Sequence, residues 1–443
     1  MFKLTPYHVV VSNYPSEGQC ILYSTLDGSA MRISESLYHQ IFLGMRTQDV
    51  DKLPLRLRNI LIHSFLIRDL TIHQREVIER IEYSVTSPKR LALTSLTTTR
   101  CNFRCLYCYQ NGILDRESDM SIDTVLKVLS WLEQKIKTIH PTNFELHLYG
   151  GEPLLNPVAL WALLDGARFL CLKYGVVFGA YITTNGYFLD QTTAMRLATS
   201  GLKTALVSLD GPPLTHDYRR PLNCGKGTFY HILKNIIESA QSLRICVRIN
   251  IDRQNCHLVP NLLELLVKYN LQKYILIDLE LISPILFAST HLKRFLFNVN
   301  DDMQAISNLW EVCAQHGFRI FGAMPIEGAC EHKSINTYTV DPIGRLYECP
   351  GFVGIDEFCI GNVGENMPSS RTRSGLINCP WLECIECAYL PICQGGCRMC
   401  NYVTKNEIKT RYCKQHFFKH SYPSFIRAKY THKSNSIHCH PSP

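Results

Sequence analysis

Three cysteines carry the clearest chemistry in this 443-residue chain: Cys101, Cys105 and Cys108, in the spacing C-x3-C-x2-C. Thiolates at this spacing in one loop can hold three corners of a [4Fe–4S] cluster, and a complete set of ligands would be four. The fourth iron would then be open to a substrate or cofactor. Zinc is the main rival, but it usually takes four ligands and is typical of C-x2-C pairs. The triplet therefore favours an iron–sulfur site.

The remaining cysteines also indicate metal binding, because 11 of the 20 cysteines fall between Cys330 and Cys439. The first residues lack the apolar stretch and cleavage site of a secretory signal. No uncharged apolar run approaches the ~20 residues that a membrane span needs. We therefore expect a cytoplasmic protein with no membrane partner, and its thiols should stay reduced. Clustered cysteines in such a protein indicate metal sites rather than disulfides.

The charge distribution argues against nucleic acid as a partner. The formal net charge is +8. Five of these charges lie in the C-terminal segment, which has no acidic residue and contains Lys414, Lys419, Arg427, Lys429 and Lys433. The rest of the chain is nearly neutral and has no basic nucleic-acid-binding face. We expect residues 421–443 to form a basic, flexible tail.

The middle of the chain alternates between short β-rich runs and helical patterns. The predicted strands are 91–99, 144–149, 176–184, 204–210, 244–251 and 274–281. The helices between them are 122–139, 158–174, 191–200, 228–240 and 258–269, and Ser121 is the expected N-cap of the first. This alternation predicts an α/β fold with a parallel sheet, a partial (β/α)6 barrel of the TIM type. Ligands bind at the C-terminal ends of the strands in such folds.

Two smaller regions flank the barrel, which we place at residues 89–323. Residues 1–88 combine a predicted hairpin with helical segments and form a small α+β domain. This domain is either a structural cap or a peptide-docking module that accepts an extended ligand at a strand edge. Residues 324–420 have short elements and dense cysteines, so we expect metal sites to hold this region together.

The motifs at the strand ends carry a resemblance to a known family. The cysteine triplet follows the first barrel strand, and Tyr107 is the aromatic residue before its last cysteine. In this context the chain resembles the radical S-adenosylmethionine (SAM) superfamily, whose signature is this triplet. Gly150, Gly151 and Glu152, in the run Gly-Gly-Glu-Pro, end the second strand and match the family's motif for the SAM amino group.

The resemblance implies roles for the residues at these strand ends. Glycines without Cβ let backbone carbonyls face an ammonium group, and the carboxylate of Glu152 adds complementary charge. Asp210 would bind the ribose of SAM, since a carboxylate can accept hydrogen bonds from a diol. Thr184 would lie near the methionine carboxylate. Alternatively, Asp210 and Thr184 simply cap the helices that follow them.

The cysteine-rich C-terminal region resembles a SPASM domain, a twin iron–sulfur module attached to radical SAM barrels. The resemblance implies two auxiliary [4Fe–4S] clusters and a third that binds SAM. One auxiliary cluster would be bound by Cys384, Cys387, Cys393 and Cys413. The other would be bound by Cys330, Cys349 and Cys397, with either Cys359 or an open iron in the fourth place. Some relatives have a cysteine where this chain has Met324. A zinc ribbon is the alternative for the C-x2-C pair alone.

The resemblance also implies a reaction. An electron from a reductant such as flavodoxin or ferredoxin would pass through the reduced cluster into SAM, which cleaves to methionine and a 5′-deoxyadenosyl radical. That radical would abstract a hydrogen atom from the substrate. SPASM enzymes mostly act on peptides. The expected substrate is therefore a ribosomally made precursor peptide, crosslinked through a thioether, carbon–carbon or carbon–oxygen bond.

Two alternative functions remain at this point. The first is a sulfatase maturase, which oxidises Cys or Ser to formylglycine. In that group an acidic residue follows the cysteine of Gly-x4-Cys and serves as the base, whereas here Pro350 follows Cys349. The second is a non-catalytic iron–sulfur electron carrier or peptide-binding scaffold. Such a protein would not need the intact triplet together with Gly-Gly-Glu-Pro. The sequence identifies no catalytic base.

Overall fold

The computed structural model describes residues 2–39, 54–63, 67–87, 89–110, 118–282, 294–297, 303–321, 330, 334–364 and 381–431. The strands in chain order are β1 Phe2–Leu4, β2 His8–Ser12, β3 Gln19–Ser24, β4 Ala30–Ser34, β5 Ile67–Asp69, β6 Arg90–Leu96, β7 Asn143–Tyr149, β8 Val177–Thr184, β9 Leu202–Ser208, β10 Arg244–Ile251, β11 Ile275–Leu281, β12 Arg319–Ile320, β13 Thr337–Val340, β14 Arg345–Tyr347 and β15 Cys359–Asn362.

The helices alternate with the central strands and become short near the C-terminal cysteines. In chain order they are α1 Leu55–His63, α2 Leu70–Thr86, α3 Ile122–Ile139, α4 Pro157–Tyr174, α5 Gln191–Thr199, α6 Pro213–Arg219, α7 Phe229–Ser239, α8 Val259–Lys268, α9 Gln304–Ser307, α10 Leu309–Gln315, α11 Leu390–Cys393, α12 Arg398–Lys405 and α13 Gln415–Thr431. Ser121 caps α3 as expected, since its side chain accepts a hydrogen bond from the Thr124 amide.

One large sheet organises the molecule, and its strand order is β12-β11-β10-β9-β8-β7-β6-β13-β14-β15. Strands β6 to β11 pair in parallel and in sequence order, which is the partial barrel predicted from the alternating pattern. The sequence did not predict the extension beyond β6. There β13 pairs in parallel with β6, and β14 and β15 continue the sheet in antiparallel fashion. The cysteine-rich region is thus continuous with the barrel sheet.

The barrel strands bury apolar side chains on the outer face and carry polar ones inside. On β7, Leu146 and Leu148 are fully buried in the main core, whereas His147 between them is only half-buried. The His147 ring stacks on Tyr181 of β8, with 4.2 Å between ring centroids, and its Nε2 lies 2.9 Å from the Thr183 hydroxyl. Helices therefore cover the outer face of the sheet. Polar side chains line the interior of the barrel, as they do in ligand sites.

The N-terminal strands β2, β3 and β4 form a separate antiparallel sheet that packs against the C-terminal region. The Tyr7 hydroxyl donates to the Ile385 carbonyl at 2.5 Å, and the Thr25 hydroxyl donates to the Ala388 carbonyl at 2.5 Å. Tyr14 donates to the carbonyl of Arg427 at 3.1 Å. These contacts hold the N-terminal sheet against the C-terminal region and do not decide between a structural cap and a peptide-docking module. They leave β4 as one edge strand of the small sheet.

The prediction of a flexible tail from residue 421 is wrong for residues 421–431. These residues form the second half of α13, in which Tyr422, Phe425 and Ile426 are buried. The apolar residues recur at helical spacing between basic ones, and the charge count concealed this pattern. Residues 432–443 lie outside the described part. Among the described residues, we find no helix whose length and apolar character would let it cross a bilayer.

One buried side chain joins the first two βα units. The Asn156 side-chain amide donates to the carbonyls of Thr97 at 2.8 Å and Met120 at 3.0 Å, and its oxygen caps α4 by accepting from Ala159. We expect Asn156→Ala to destabilise the fold by about 3 kcal/mol, since roughly three hydrogen bonds are lost in a buried place. Ser121→Ala removes an exposed cap and should cost only about 1 kcal/mol. Urea midpoints of the two variants test this, and equal shifts would contradict it.

Candidate functional site

The cysteine triplet lies in an irregular loop between β6 and α3, where its three thiols are close enough to affect one another. Burial raises the pKa of the Cys101 thiol to about 12, and the nearby Glu152, Cys105 and Cys108 raise it further. Burial also raises the pKa of Cys108 to about 12, with Cys105 as the next cause. A set of three soft sulfur ligands in one partly buried loop fits a [4Fe–4S] cluster. Binding iron would displace the protons from these thiols.

A neighbouring segment holds this loop through backbone hydrogen bonds. The Arg104 amide donates to the Pro221 carbonyl at 3.0 Å, and the Leu106 amide donates to the Arg219 carbonyl at 3.0 Å. The Asn223 amide donates to the Asn102 carbonyl at 2.9 Å. The cysteine loop is therefore positioned by residues 219–223, which belong to a run to which the sequence assigned no role.

The Gly-Gly-Glu-Pro loop packs directly against the residues before Cys101. A Cβ on Gly150, whose φ is +142°, would lie 2.3 Å from the Thr98 carbonyl oxygen, and a Cβ on Gly151 would lie 2.3 Å from the Arg100 carbonyl oxygen. The Gly151 amide donates to Thr98 at 2.9 Å. Both glycines are thus required for this close approach, which brings the end of the second strand to the cysteine loop.

The structure brings Glu152 and Thr184 together. The fully buried Glu152 carboxylate accepts hydrogen bonds from the Thr184 hydroxyl at 2.8 Å and the Asn185 amide at 2.7 Å. Burial raises the pKa of Glu152 to about 7. The Thr184 oxygen also accepts a hydrogen bond from the Gly186 amide at 3.1 Å. Both side chains are therefore occupied with joining two strand ends, and Thr184 does not cap α5, whose N-cap is Asp190.

Asp210 is fully buried and lies at the centre of a hydrogen-bond network. Its carboxylate accepts hydrogen bonds from the Tyr107 hydroxyl and from both the backbone and side-chain nitrogens of Asn250, each of these two at 3.0 Å. The Arg220 Nη1 donates to the Tyr107 hydroxyl at 2.6 Å and lies 3.9 Å from Asp210. Asp210 does not cap α6, whose N-cap is Pro212. The network joins Tyr107 of the cysteine loop to the ends of β9 and β10.

Sequence reasoning missed the arginines of this network. The Arg219 Nη1 donates to both carboxylate oxygens of the buried Asp252, at 2.9 and 3.1 Å, and its guanidinium lies 5.1 Å from the centre of the Tyr107 ring. His216 accepts a hydrogen bond from the Asp210 amide at 3.2 Å. Adjacent arginines in a strand-end loop were visible in the sequence. Their carboxylate partners, however, lie on other strands, and only the fold brings them together.

The C-terminal cysteines fall into the two sets that the sequence grouped. Burial raises the pKa of Cys387, and the thiols of Cys384, Cys393 and Cys413 raise it further. These four cysteines line one cavity. In the other set, burial raises the pKa of Cys349 well above its usual value, with Cys330 and Cys397 as the next causes.

The sequence named Cys359 as a possible fourth ligand of the second set, but the structure places Cys400 next to Cys397 of that set. The Cys359 thiol donates to the Gly361 carbonyl at 3.4 Å, on a strand paired with Tyr347. Cys400, which the sequence leaves as a possible alternative ligand three positions beyond Cys397, lies beside Cys397, and its hydrogen bond lowers the pKa of Cys397 to about 5. Met324, the other position considered for a fourth ligand, lies outside the described residues.

Among the described residues, no cysteine set is placed to hold a single metal ion. A zinc ion would hold each sulfur ligand at about 2.3 Å from one point. In the part of the chain that the structure describes, no three Cys, His, Asp or Glu side chains are placed to hold one metal ion.

Two tyrosines lie between the triplet and the C-terminal cysteines. The Tyr109 hydroxyl donates to the Tyr149 hydroxyl at 2.8 Å, and the half-buried rings stack with 6.4 Å between their centroids. Burial raises the pKa of Tyr149, and both Cys108 and Cys349 contribute to the increase. The pair is thus near a cysteine of each group, Cys108 of the triplet and Cys349 of the C-terminal region.

One carboxylate at the end of β11 makes no hydrogen bond within the part of the chain that the structure describes. Glu280, at the end of β11 beside Asn250, is solvent-accessible and makes no hydrogen bond or ion pair with the described residues. Its neighbour Asp278 pairs with Arg248 at 2.7 Å. Although Glu280 keeps water-accessible surface, desolvation by the surrounding protein raises its pKa, and the charges of Arg248 and Lys414 oppose this increase. Glu280 can therefore contact a molecule that enters between the barrel and the C-terminal cysteines.

Comparisons with known proteins agree with this geometry. Residues 95–251 match the Radical SAM superfamily. The chain is 23% identical over 367 residues to the radical SAM cyclopropyl synthase TigE of Paramaledivibacter caminithermalis, covering 73% of this chain and 71% of that protein. It is 21% identical to a cysteine-type anaerobic sulfatase-maturating enzyme of Clostridium perfringens, covering 76% and 98%.

A solved structure shows the same fold over nearly the whole chain. The crystal structure of Streptococcus suis SuiB bound to its precursor peptide SuiA superposes with a TM-score of 0.51 at 13% identity, covering 94% of this chain and 99% of SuiB. The partial barrel and both flanking regions therefore occur together in a structure that holds a peptide.

The two-glycine loop yields a direct test of the site. We expect Gly151→Ala to prevent iron binding at the triplet, because its Cβ would meet the backbone oxygens of Arg100 and Thr99 at 2.3 and 2.5 Å. Gly179→Ala is the matched control, since the nearest atom would lie 3.9 Å away. Iron content and the thermal midpoint of each reconstituted variant are the measurements. Normal iron content in Gly151→Ala would show that the loop can move away.

Proposed function

We propose that this chain, a radical SAM enzyme, modifies a ribosomally made precursor peptide by removing a hydrogen atom from one residue. The product would carry a thioether, carbon–carbon or carbon–oxygen crosslink. The resemblance to peptide-acting maturases supports the substrate class. The Tyr109–Tyr149 pair, which is near a cysteine of each group, supports the chemistry.

The observation that carries this proposal is the position of the Tyr109–Tyr149 pair, near Cys108 on one side and Cys349 on the other. A protein that only carries electrons needs no accessible chamber between its metal sites. A maturase does, because the peptide must meet the SAM-derived radical on one side and an electron acceptor on the other. The half-buried Tyr109 and Tyr149 and the solvent-accessible Glu280 would line such a space between the metal sites.

The residues of the chain would divide the work as follows. Cys101, Cys105 and Cys108 would hold the [4Fe–4S] cluster that, once reduced, supplies the electron for SAM cleavage. The Asp210 network would fix the cysteine loop. Cys384, Cys387, Cys393 and Cys413 would hold one auxiliary cluster, and Cys330, Cys349 and Cys397 the other. Glu280 would contact the peptide.

Oxidation of Cys or Ser to formylglycine is the second candidate, and the similarity to the Clostridium perfringens enzyme along 98% of its length favours it. Asp356 and Glu357, the acidic residues that follow Pro350 in the described chain, both have partners and do not replace the base expected in that group. Pro350 begins a 3₁₀ turn. Asp356 forms an ion pair with Arg345 at 2.9 Å, and Glu357 accepts a hydrogen bond from Tyr402 at 2.6 Å. We therefore place peptide crosslinking first.

The cluster assignment has a direct test. After anaerobic reconstitution we expect about 11–12 iron per chain, from three cubane clusters, and formation of 5′-deoxyadenosine that depends on a reductant. Replacing Cys101, Cys105 and Cys108 with Ala should abolish SAM cleavage and remove about four iron while the auxiliary iron stays. Cys224→Ala, an exposed cysteine outside the three sets, is the control. Loss of all iron from the triple variant would refute the grouping, and absence of SAM cleavage in the loaded wild type would refute the enzyme.

The substrate class is tested by coexpression with each short open reading frame beside the gene, followed by mass spectrometry. A crosslinked peptide should lose about two hydrogens per modification, and its fragments would identify the bond. We expect Glu280→Gln to lower the yield of modified peptide per 5′-deoxyadenosine by tenfold or more, because the peptide loses a charged partner. Glu264→Gln, on the exposed face of α8, should leave the yield unchanged. An unaltered yield in Glu280→Gln would exclude the contact.

A further inference from the structure

One lysine lies among the C-terminal cysteines. Lys414 directly follows Cys413 and precedes α13, and its side chain lines the same cavity as the four cysteines of one set. It also faces the other set. The hydrogen bond from Cys400 is the main cause of the low pKa of Cys397, and the charge of Lys414 lowers that pKa further. The lysine is therefore placed between the two sets of cysteines.

The backbone fixes Lys414 in this place. The segment before α13 runs beside residues 393–397, where the Tyr412 amide donates to the Gly395 carbonyl at 2.9 Å. The next residue, Gly396, has a φ of +83°, and a Cβ on it would lie 1.9 Å from the Tyr412 carbonyl oxygen. Only glycine permits this close approach. Lys414 is thus attached to the loop that joins one set of cysteines to the other.

The ammonium group of Lys414 is partly buried and has no bonded partner among the described residues, where it donates no hydrogen bond and forms no ion pair. Lysine is protonated at neutral pH, since its usual pKa is about 10.4. Desolvation lowers the pKa of Lys414, but the charges of Glu280, Cys400, Cys397 and Cys393 outweigh this effect and raise the pKa to about 12. A cation in such surroundings needs negative charge nearby. Iron–sulfur clusters with thiolate ligands would supply it.

A second cation in the same segment, Arg411, is placed differently. Its Nη1 donates to the Cys384 sulfur at 3.7 Å, but its Nε pairs with Glu383 at 3.2 Å, and 43% of its side chain is exposed. Water and the paired carboxylate screen the charge of Arg411. The charge of Lys414 is less screened, because the side chain is partly buried and its ammonium group is not paired.

A positive charge beside an iron–sulfur cluster stabilises the reduced form of the cluster. Reduction adds one negative charge, and the reduction potential depends on the net charge around the cluster and on its exposure to solvent. Charges interact more strongly in buried places than in water. The carboxylate of Glu280 lies within electrostatic reach of both Lys414 and Cys397, and its charge has the opposite sign. The two side chains would therefore shift the potential in opposite directions.

We propose that Lys414 raises the reduction potentials of the auxiliary clusters on either side of it and so makes them better electron acceptors. This inference rests on the proposed function, since it requires clusters at the C-terminal cysteines. It gives Lys414 an electrostatic role, in which the lysine is neither a metal ligand nor a catalytic residue. The triplet cluster should not depend on Lys414, because no thiol of the triplet contributes to the electrostatic surroundings of this lysine.

The test is a redox titration of the reconstituted enzyme, followed by electron paramagnetic resonance. The triplet cluster is identified because its signal changes when SAM is added. We expect Lys414→Gln to lower the equilibrium constant for reduction of at least one auxiliary cluster about tenfold, which is about 59 mV for one electron. The triplet signal should shift by less than about threefold, or roughly 30 mV. Lys409→Gln removes an exposed positive charge from the same region and is the matched control, with no shift expected.

The outcomes separate this inference from the proposed function. Unchanged auxiliary potentials in Lys414→Gln, at wild-type iron content, would overturn the inference and leave the radical SAM function intact. Equal shifts of all three clusters would also overturn it, as would a Glu280→Gln shift in the same direction as that of Lys414→Gln. Should Lys414→Gln fail to retain iron, Lys414→Met, which keeps the length of the side chain, decides by the same shift. Absence of any SAM-independent cluster signal in the loaded wild type would instead refute the auxiliary clusters of the proposed function.

Discussion

The buried hydrogen-bond network around Asp210 is the interaction on which the candidate site depends. The cysteine loop has no regular secondary structure, so nothing within the loop fixes where its thiols lie. Tyr107 of that loop bonds to Asp210 and Arg220, and these residues are held in turn by Asn250 and by the segment before α7. A buried network of this kind is costly when incomplete and rigid when satisfied. The loop takes its position from three strand ends rather than from its own sequence.

The incomplete barrel explains why the barrel interior is polar. A closed eight-stranded barrel fills its interior with packed apolar side chains. Here the short β12 follows β11 at one edge, while the C-terminal strand β13 continues the sheet beyond β6. The interior can therefore keep His147, Arg248 and Glu280, which a packed core would exclude. The strands adjoining the cysteine-rich region extend the same sheet, so that region cannot shift without disturbing β6.

The sequence predicted the central strands, the helices between them and the grouping of the C-terminal cysteines, because periodicity and spacing are local properties. It failed where a role depends on contacts between distant segments. The hydrogen bonds of Asp210 and Thr184 to other strand ends were not predicted, and neither residue caps the helix that follows it, while their assignment to SAM stays a prediction. Residues 421–431 were placed in a tail because their charge was counted without their apolar spacing. The spacing made Cys400 only a possible alternative ligand, and its hydrogen bond to Cys397 is visible only in the fold.

The hydrogen bonds of Glu152 limit how the Gly-Gly-Glu-Pro loop could bind SAM. Both carboxylate oxygens of Glu152 accept hydrogen bonds, one from Thr184 and one from Asn185. The strand-end loop can therefore offer an ammonium group only its backbone carbonyls. The Thr98 and Arg100 carbonyls already accept hydrogen bonds from Gly151 and Glu152, but a carbonyl oxygen has two lone pairs. Recognition of the amino group would then depend on backbone positions fixed by the two glycines.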